Sequence, residues 1–249
     1  MATPARLHSH LHSHLHVRLD EAALRSWPQA LAQVQRLEQD GVAAVLLPIV
    51  TAGLEPLTLA AGLATQTRRI GLVVGVDPAL TLPYTAARRL AALDHASAGR
   101  TGWFLAQPSA PTAPTEPARA ADYLATVLAL WDSWDDGLHR IDRAAGRYID
   151  TTGIRPADHR GPFYASAGPL DIPRPPQGHP VFYAAQAAPG VDMLLPGDND
   201  KDGDGDSDPA SAAPATAPTG PRASTATPAT LRAQLGLPPA PPPAHAHAR

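Results

Sequence analysis

The sequence predicts an α/β protein in which helices alternate with the strands of a parallel sheet. Two observations carry that prediction. Val42–Val50, Ile70–Val76 and Thr101–Gln107 are near-continuous apolar runs rather than alternating ones, the pattern of strands covered on both faces. Between them lie segments with apolar residues at helical spacing, so each strand is followed by a helix able to make a right-handed crossover. Periodicity alone does not choose between an open doubly wound sheet and a closed barrel.

The elements follow in order. Leu7–Val17 alternates His with Ser, Leu or Val, a period of two that favours a strand with His8, His10, His12, His14 and His16 on one face. Glu21–Gln39 reads as a helix, with Ala23, Leu24, Trp27, Leu31, Val34 and Leu37 on its apolar face. Asp20 is its expected N-cap, because a carboxylate there accepts an orphan backbone N–H. Pro28 predicts a kink or a late start. After the Val42–Val50 strand, Leu57–Thr67 is helical and Ile70–Val76 is the next strand. Tyr84–Ala96 is a helix, with Pro83 tolerated in its first turn. Thr101–Gln107 is the fourth strand. Ala118–Arg140 reads as one long helix whose face carries Tyr123, Val127, Leu130, Trp131 and Trp134, and Pro180–Ala187 is the fifth strand. Beyond Met193 the sequence changes character. Asp198–Asp208 is an aspartate–glycine run and Pro209–Thr227 is Ala, Pro, Thr and Ser, a composition that cannot bury enough apolar surface to offset chain entropy.

Composition narrows the function. A formal net charge of −3 over 249 residues gives no electrostatic case for nucleic acid. The absence of cysteine excludes disulfides and thiolate metal sites and fits a reducing compartment. No run approaches the roughly 20 apolar residues of a membrane span, and no secretory leader is expected. Aromatic residues make up 5% of the chain, so large core anchors are few.

Several words stand in a fixed order along the chain. The upstream set is Glu55-Pro56-Leu57-Thr58-Leu59, Arg69-Ile70-Gly71-Leu72-Val73, Pro83-Tyr84, Ala87-Arg88-Arg89, Leu93-Asp94-His95 and Gly99-Arg100-Thr101-Gly102-Trp103. The downstream set runs Leu130-Trp131-Asp132-Ser133-Trp134-Asp135-Asp136-Gly137, Asp158-His159-Arg160-Gly161-Pro162-Phe163-Tyr164, Gly168-Pro169-Leu170 and Pro173-Arg174-Pro175-Pro176-Gln177-Gly178-His179-Pro180-Val181. Together they resemble the bacterial-luciferase-like flavin monooxygenases, in the branch that includes nitrilotriacetate and dibenzothiophene-sulfone monooxygenases. Thr230-Leu231-Arg232-Ala233-Gln234-Leu235-Gly236-Leu237-Pro238 is similar to the tail of that branch. The resemblance selects a TIM-like (β/α)8 barrel, here incomplete: about five βα units are counted, followed by a disordered C-terminal region. It divides the chain into a partial luciferase-like domain at 1–195, a low-complexity linker at 196–229 and a tail at 230–249.

The resemblance implies an oxidoreductase that uses reduced FMN from a separate flavin reductase, O2 and a small organic substrate in the cytoplasm. Its flavin positions are mostly replaced. Ile49 stands where the family has an aspartate, Asp77-Pro78 where it has small hydroxyl residues, Phe104 for an asparagine and Gln107 for a threonine. The loop Gln186-Ala187-Ala188-Pro189-Gly190 lacks the serine that holds the flavin phosphate. Asp77 and Gln107 remain as polar groups at strand ends and are the candidate cofactor-binding residues by position alone; no catalytic residue is assigned. The alternative is a non-catalytic remnant or partner-binding member that has lost flavin. Such a half-barrel exposes strand edges, which a second copy or an intact paralogue would cover.

The remaining candidates each have a plainer reading. Trp131 and Trp134, three apart, would share a helix face, as a flavin-stacking platform or as core. Asp135 and Asp136 form a carboxylate pair for acid–base work or a solvated helix end. His159 beside Asp158 is a candidate catalytic His or a loop residue. The His-rich N-terminus, with His245 and His247, suggests a metal-binding alternative, but no carboxylate stands at fixed spacing and no metal site is assigned. Asp198–Asp204 matches half of an EF-hand loop, whose twelfth position is Pro209 instead of glutamate.

Overall fold

The computed structural model describes residues 16–106, 117–195 and 229–243. Its elements are β1 (His16–Arg18), α1 (Glu21–Leu24), α2 (Trp27–Gln39), β2 (Ala44–Leu47), α3 (Pro56–Gln66), β3 (Gly71–Val76), α4 (Pro83–Ala96), β4 (Thr101–Leu105), α5 (Pro117–Trp131), the hairpins β5 (His139–Asp142)–β6 (Arg147–Ile149) and β7 (His159–Arg160)–β8 (Ala165–Ser166), β9 (Val181–Ala184), β10 (Met193–Leu194) and α6 (Leu231–Gln234). Six strands form one parallel sheet in the order β1-β2-β3-β4-β9-β10. The two hairpins are inserted between α5 and β9.

The sheet is curled into an incomplete barrel. In a flat sheet β1 and β9, four strands apart, would lie about 19 Å from each other. Instead His16 and Tyr183 share a hydrogen bond of 3.0 Å across the inner face. Alternate residues therefore serve two cores. Val45, Leu47, Leu72, Val74, Trp103 and Phe182 point outward and pack beneath the helices, whereas Ala44, Leu46, Val73, Phe104, Val181 and Tyr183 fill the inner side. Both faces of the strands are thus covered, as their unbroken apolar runs require. The predicted fold class holds, with one strand more than the five expected. β10 is only Met193–Leu194, too short to give a periodic signal.

Several local expectations are corrected. The first helix divides at Arg25–Ser26, and α2 begins at Trp27 with Pro28 in its first turn; this is the late start that proline favours. Asp20 occupies the N-cap position of α1 without a capping bond, because its carboxylate accepts from the Gln33 amide at 3.0 Å. The long helix expected over Ala118–Arg140 ends at Trp131. There the Ser133 hydroxyl donates to the Leu130 carbonyl at 2.6 Å and accepts from the Leu170 N–H at 3.0 Å, one way in which Ser competes with helical bonding. Trp134 lies beyond the helix, bridged to Ile154, so it does not share a helical face with Trp131.

The described structure resumes at residue 229. Residues 229–243 return to the base of the sheet, where Leu231 is fully buried and Leu235 nearly so. The Asp/Gly-rich and Ala/Pro-rich stretch between lies outside the described residues.

Candidate functional site

In βα barrels the chemistry sits at the C-terminal ends of the strands. In this chain the ends of β2 and β3 open onto a cavity of about 310 Å3. Its apolar walls come from Ile49, Val50, Leu54, Leu57 and Leu80, and its polar groups are Glu55, Asp77, Thr81 and Arg89. Glu55 is the N-cap of α3: its carboxylate accepts the Thr58 N–H and hydroxyl, each at 2.7 Å, and the Arg89 guanidinium at 2.9 Å. Burial raises this carboxyl, but the Thr58 bonds and Arg89 outweigh it and hold the group below its ordinary value. Arg89 thereby arrives at the cavity already paired.

Asp77, one of the two residues singled out by position, lines this cavity. Its carboxylate accepts the Ala79 N–H at 2.8 Å, and its carbonyl accepts from Leu80 and Thr81 at 3.2 and 2.9 Å. It is the hinge of the β3–α4 turn. The Tyr123 hydroxyl on α5 donates to the Thr81 carbonyl at 2.8 Å and fixes that turn; burial, with a contribution from Asp77, pushes the phenol well above its usual value. Gln107, the other candidate, lies outside the described residues. Sequence reasoning gave no role to Glu55 and Arg89, although both stood inside quoted words; the missed signal was a carboxylate immediately before a Pro-initiated helix.

Beneath the mouth the inner face is lined by apolar atoms. The Phe104 ring lies over Gly75, where a Cβ would come within 3.1 Å of it, and Ile49 and Ala106 join the same cluster.

The conspicuous downstream words do not gather here. Asp132 accepts from Arg174 and His179, each at 2.8 Å. Asp136 pairs with Arg174 at 3.2 Å and Asp135 with Arg155 at 2.8 Å, so the expected carboxylate pair splits between two arginines. Trp131 is fully buried against Trp103, ring centroids 5.9 Å apart, and its indole N–H donates to the Ala87 carbonyl at 3.0 Å. The Trp134 indole donates to the Leu170 carbonyl at 2.7 Å. Both tryptophans are packing groups. His159 is held by a carboxylate, but by Asp122 at 2.8 Å rather than Asp158. Asp122 also accepts the Phe163 and Tyr164 N–H groups at 2.7 and 2.9 Å, and its carboxyl is accordingly lowered: burial opposes, the amides and His159 prevail. This cluster pins the β7–β8 hairpin to α5.

Among the described residues no group of three His, Asp or Glu could hold a metal ion. Of the N-terminal histidines only His16 is described; the rest, His245, His247 and the Asp198–Asp204 segment lie outside the described residues. No helix among the described residues is long and apolar enough to cross a membrane.

Comparison with known proteins bears out the resemblance. A family model described as luciferase-like monooxygenase matches residues 2–194. Nitrilotriacetate monooxygenase component A of Aminobacter aminovorans is 40% identical over 153 residues, covering 56% of this chain and 34% of that protein. Dibenzothiophene-sulfone monooxygenase of Rhodococcus erythropolis is 32% identical over 148 residues, covering 55% and 33%. The crystal structure of a long-chain alkane monooxygenase superposes with a TM-score of 0.59 at 23% identity, over 66% of this chain and 45% of that one, which supports the fold. The chain spans about a third of the length of the two curated relatives.

Proposed function

This chain belongs to the luciferase-like monooxygenase family, and we propose that it is a non-catalytic, partner-binding member rather than a flavin monooxygenase in its own right. The observation that carries this reading is the Phe104 ring packed against Gly75 on the inner face beneath the cavity. A flavin needs room at the mouth for its tricyclic ring and donors for its phosphate. The polar groups at the cavity are two carboxylates, a guanidinium already paired to one of them, and one hydroxyl. The turn at Gln186–Gly190 carries no hydroxyl side chain. These residues do not fit FMN, so no reaction step is derived through it. The partner would be a second copy or an intact relative, covering the sheet edges at β1 and β10.

Anaerobic titration with reduced FMN, and fluorescence titration with FMN, test this reading. Losing several hydrogen bonds of about 1–3 kcal/mol each should weaken a micromolar complex a hundredfold or more. A dissociation constant in the low micromolar range overturns it.

The cavity at the ends of β2 and β3 favours a second reading. Under it the protein would be a cytoplasmic oxygenase acting on a small organic substrate, with reduced FMN delivered by a flavin reductase and O2 as co-substrate. The flavin would supply the oxygen chemistry and the protein its orientation and exclusion of water. Substrate-dependent O2 consumption with a reductase present would establish this reading and end the first.

A further inference from the structure

The base of the sheet, opposite the cavity, binds a peptide segment in a defined way. Leu231 enters a slot made by glycines: a Cβ at Gly71 would stand 2.6 Å from its side chain, and one at Gly102 3.3 Å. Its N–H donates to the Gly99 carbonyl at 2.7 Å. Arg232, also buried, forks onto Asp192, with bonds of 2.9 and 2.8 Å, and onto the His179 carbonyl at 3.0 Å. A two-bond arginine–carboxylate pair is directional as well as strong. The Arg232 N–H donates to Gln177 Oε1 at 2.9 Å, and the Gln177 amide is itself fixed to Asp94 at 2.7 Å. Leu235 completes the apolar contact.

Outside the tail itself, the hydrogen-bond partners of this segment, Arg69, Gly99, Gln177, His179 and Asp192, lie between residues 69 and 192, and 33 residues separate Leu195 from Ala229. That much chain spans up to about 115 Å when extended, more than enough to reach the base of another molecule. The contact has the elements of a receptor and a ligand: an apolar slot, a half-buried carboxylate and a backbone acceptor on one side, Leu-Arg-Ala-Gln-Leu on the other. It also supplies side chains to the base layer of an incomplete barrel, which has too few strands to fill it.

We propose that the base of the sheet is a peptide-binding site for the Leu231–Leu235 segment, filled by the chain's own tail and equally by the tail of a second copy. Two molecules can then exchange tails without any change in either fold, a low-cost route to a dimer. This site is separate from the cavity, and its test is independent of flavin.

The chain has no cysteine, so introduced thiols report cleanly. Arg69 and Gln234 are both exposed, and the Gln234 amide donates to the Arg69 carbonyl at 3.2 Å. Full-length Arg69→Cys and Gln234→Cys chains are mixed at high concentration, diluted and treated with a short bis-maleimide. A heterodimer at least five-fold above that from Arg69→Cys mixed with Arg147→Cys is expected. Adding Arg232→Glu to the Gln234→Cys chain should return the yield to that control. Circular dichroism checks that each variant keeps its fold. In the doubly substituted chain the cross-link should form internally at low concentration. If the mixture gives no more heterodimer than the control while the double variant cross-links internally, the tail is a fixed part of one fold and the proposal fails.

Discussion

Replacing Trp131 by alanine separates packing from ligand stacking more sharply than any other single change. The side chain is fully buried, edge-on to Trp103 at 5.9 Å, with its N–H bonded to the Ala87 carbonyl. A buried aromatic of this kind removes about 150–250 Å2 from water. At about 25 cal/mol per Å2 that is about 4–6 kcal/mol, an upper bound because the unfolded chain already buries part of it. Large-to-small substitutions at such sites cost about 3–5 kcal/mol. Ala87 sits within α4, so its carbonyl has a helical donor besides the indole, and losing the indole bond adds little. Trp131→Ala should therefore lower the urea midpoint by about 1–2 M at an ordinary m-value, read by far-UV circular dichroism. Trp131→Phe, which keeps a ring, should lose less than half as much. If Trp131→Ala unfolded at the wild-type midpoint, and the wild type bound reduced flavin while the variant did not, the packing assignment would be wrong and the stacking reading right.

Other substitutions follow from particular contacts. Gly161→Ala places a Cβ on the Asp122 carboxylate, displacing the acceptor of two amides; a loss of about 2–4 kcal/mol is expected from the melting curve, and an unchanged curve would contradict the geometry. Leu231→Ala should cost about 2–5 kcal/mol, whereas loss of a merely tethered tail would leave thermal stability unaltered. Glu38 accepts the N–H groups of Arg68, Arg69 and Ile70 at 2.9, 2.7 and 3.0 Å. Burial raises its carboxyl, but these three amides, with Arg100, bring it below its ordinary 4.5. Its stabilisation is present above pH 4.5 and is lost as pH falls through the lower folded value, so Glu38→Gln should flatten stability against pH in that window. An acid limb as steep as the wild type's would count against it.

The α/β class, the alternation of elements and the inner and outer faces were legible because strands covered on both sides leave unbroken apolar runs, as Leu72–Val74 does between α3 and the inner core. What was not legible depended on side chains meeting across long separations. Nothing near Ser133 in the sequence announces that Leu170 would take its hydroxyl and end a helix nine residues before Arg140. Nothing near His159 points to Asp122, 37 positions upstream, when Asp158 stands next to it. The tail was set apart by the composition in front of it, although Leu231 and Arg232 carry the apolar and charged groups that dock it.

The words that reveal the family are, with few exceptions, words of the base and flank. Asp94, Arg100, Asp132, Arg174, Gln177 and His179 are bonded mainly to one another, to backbone and to the tail. In a barrel that end serves stability and the opposite end serves chemistry. A family signature of this kind therefore carries no information about the strand ends, where Ile49, Asp77 and Phe104 stand in this chain. Membership follows from the signature, and activity from the strand ends; flavin affinity is the quantity that reads the second.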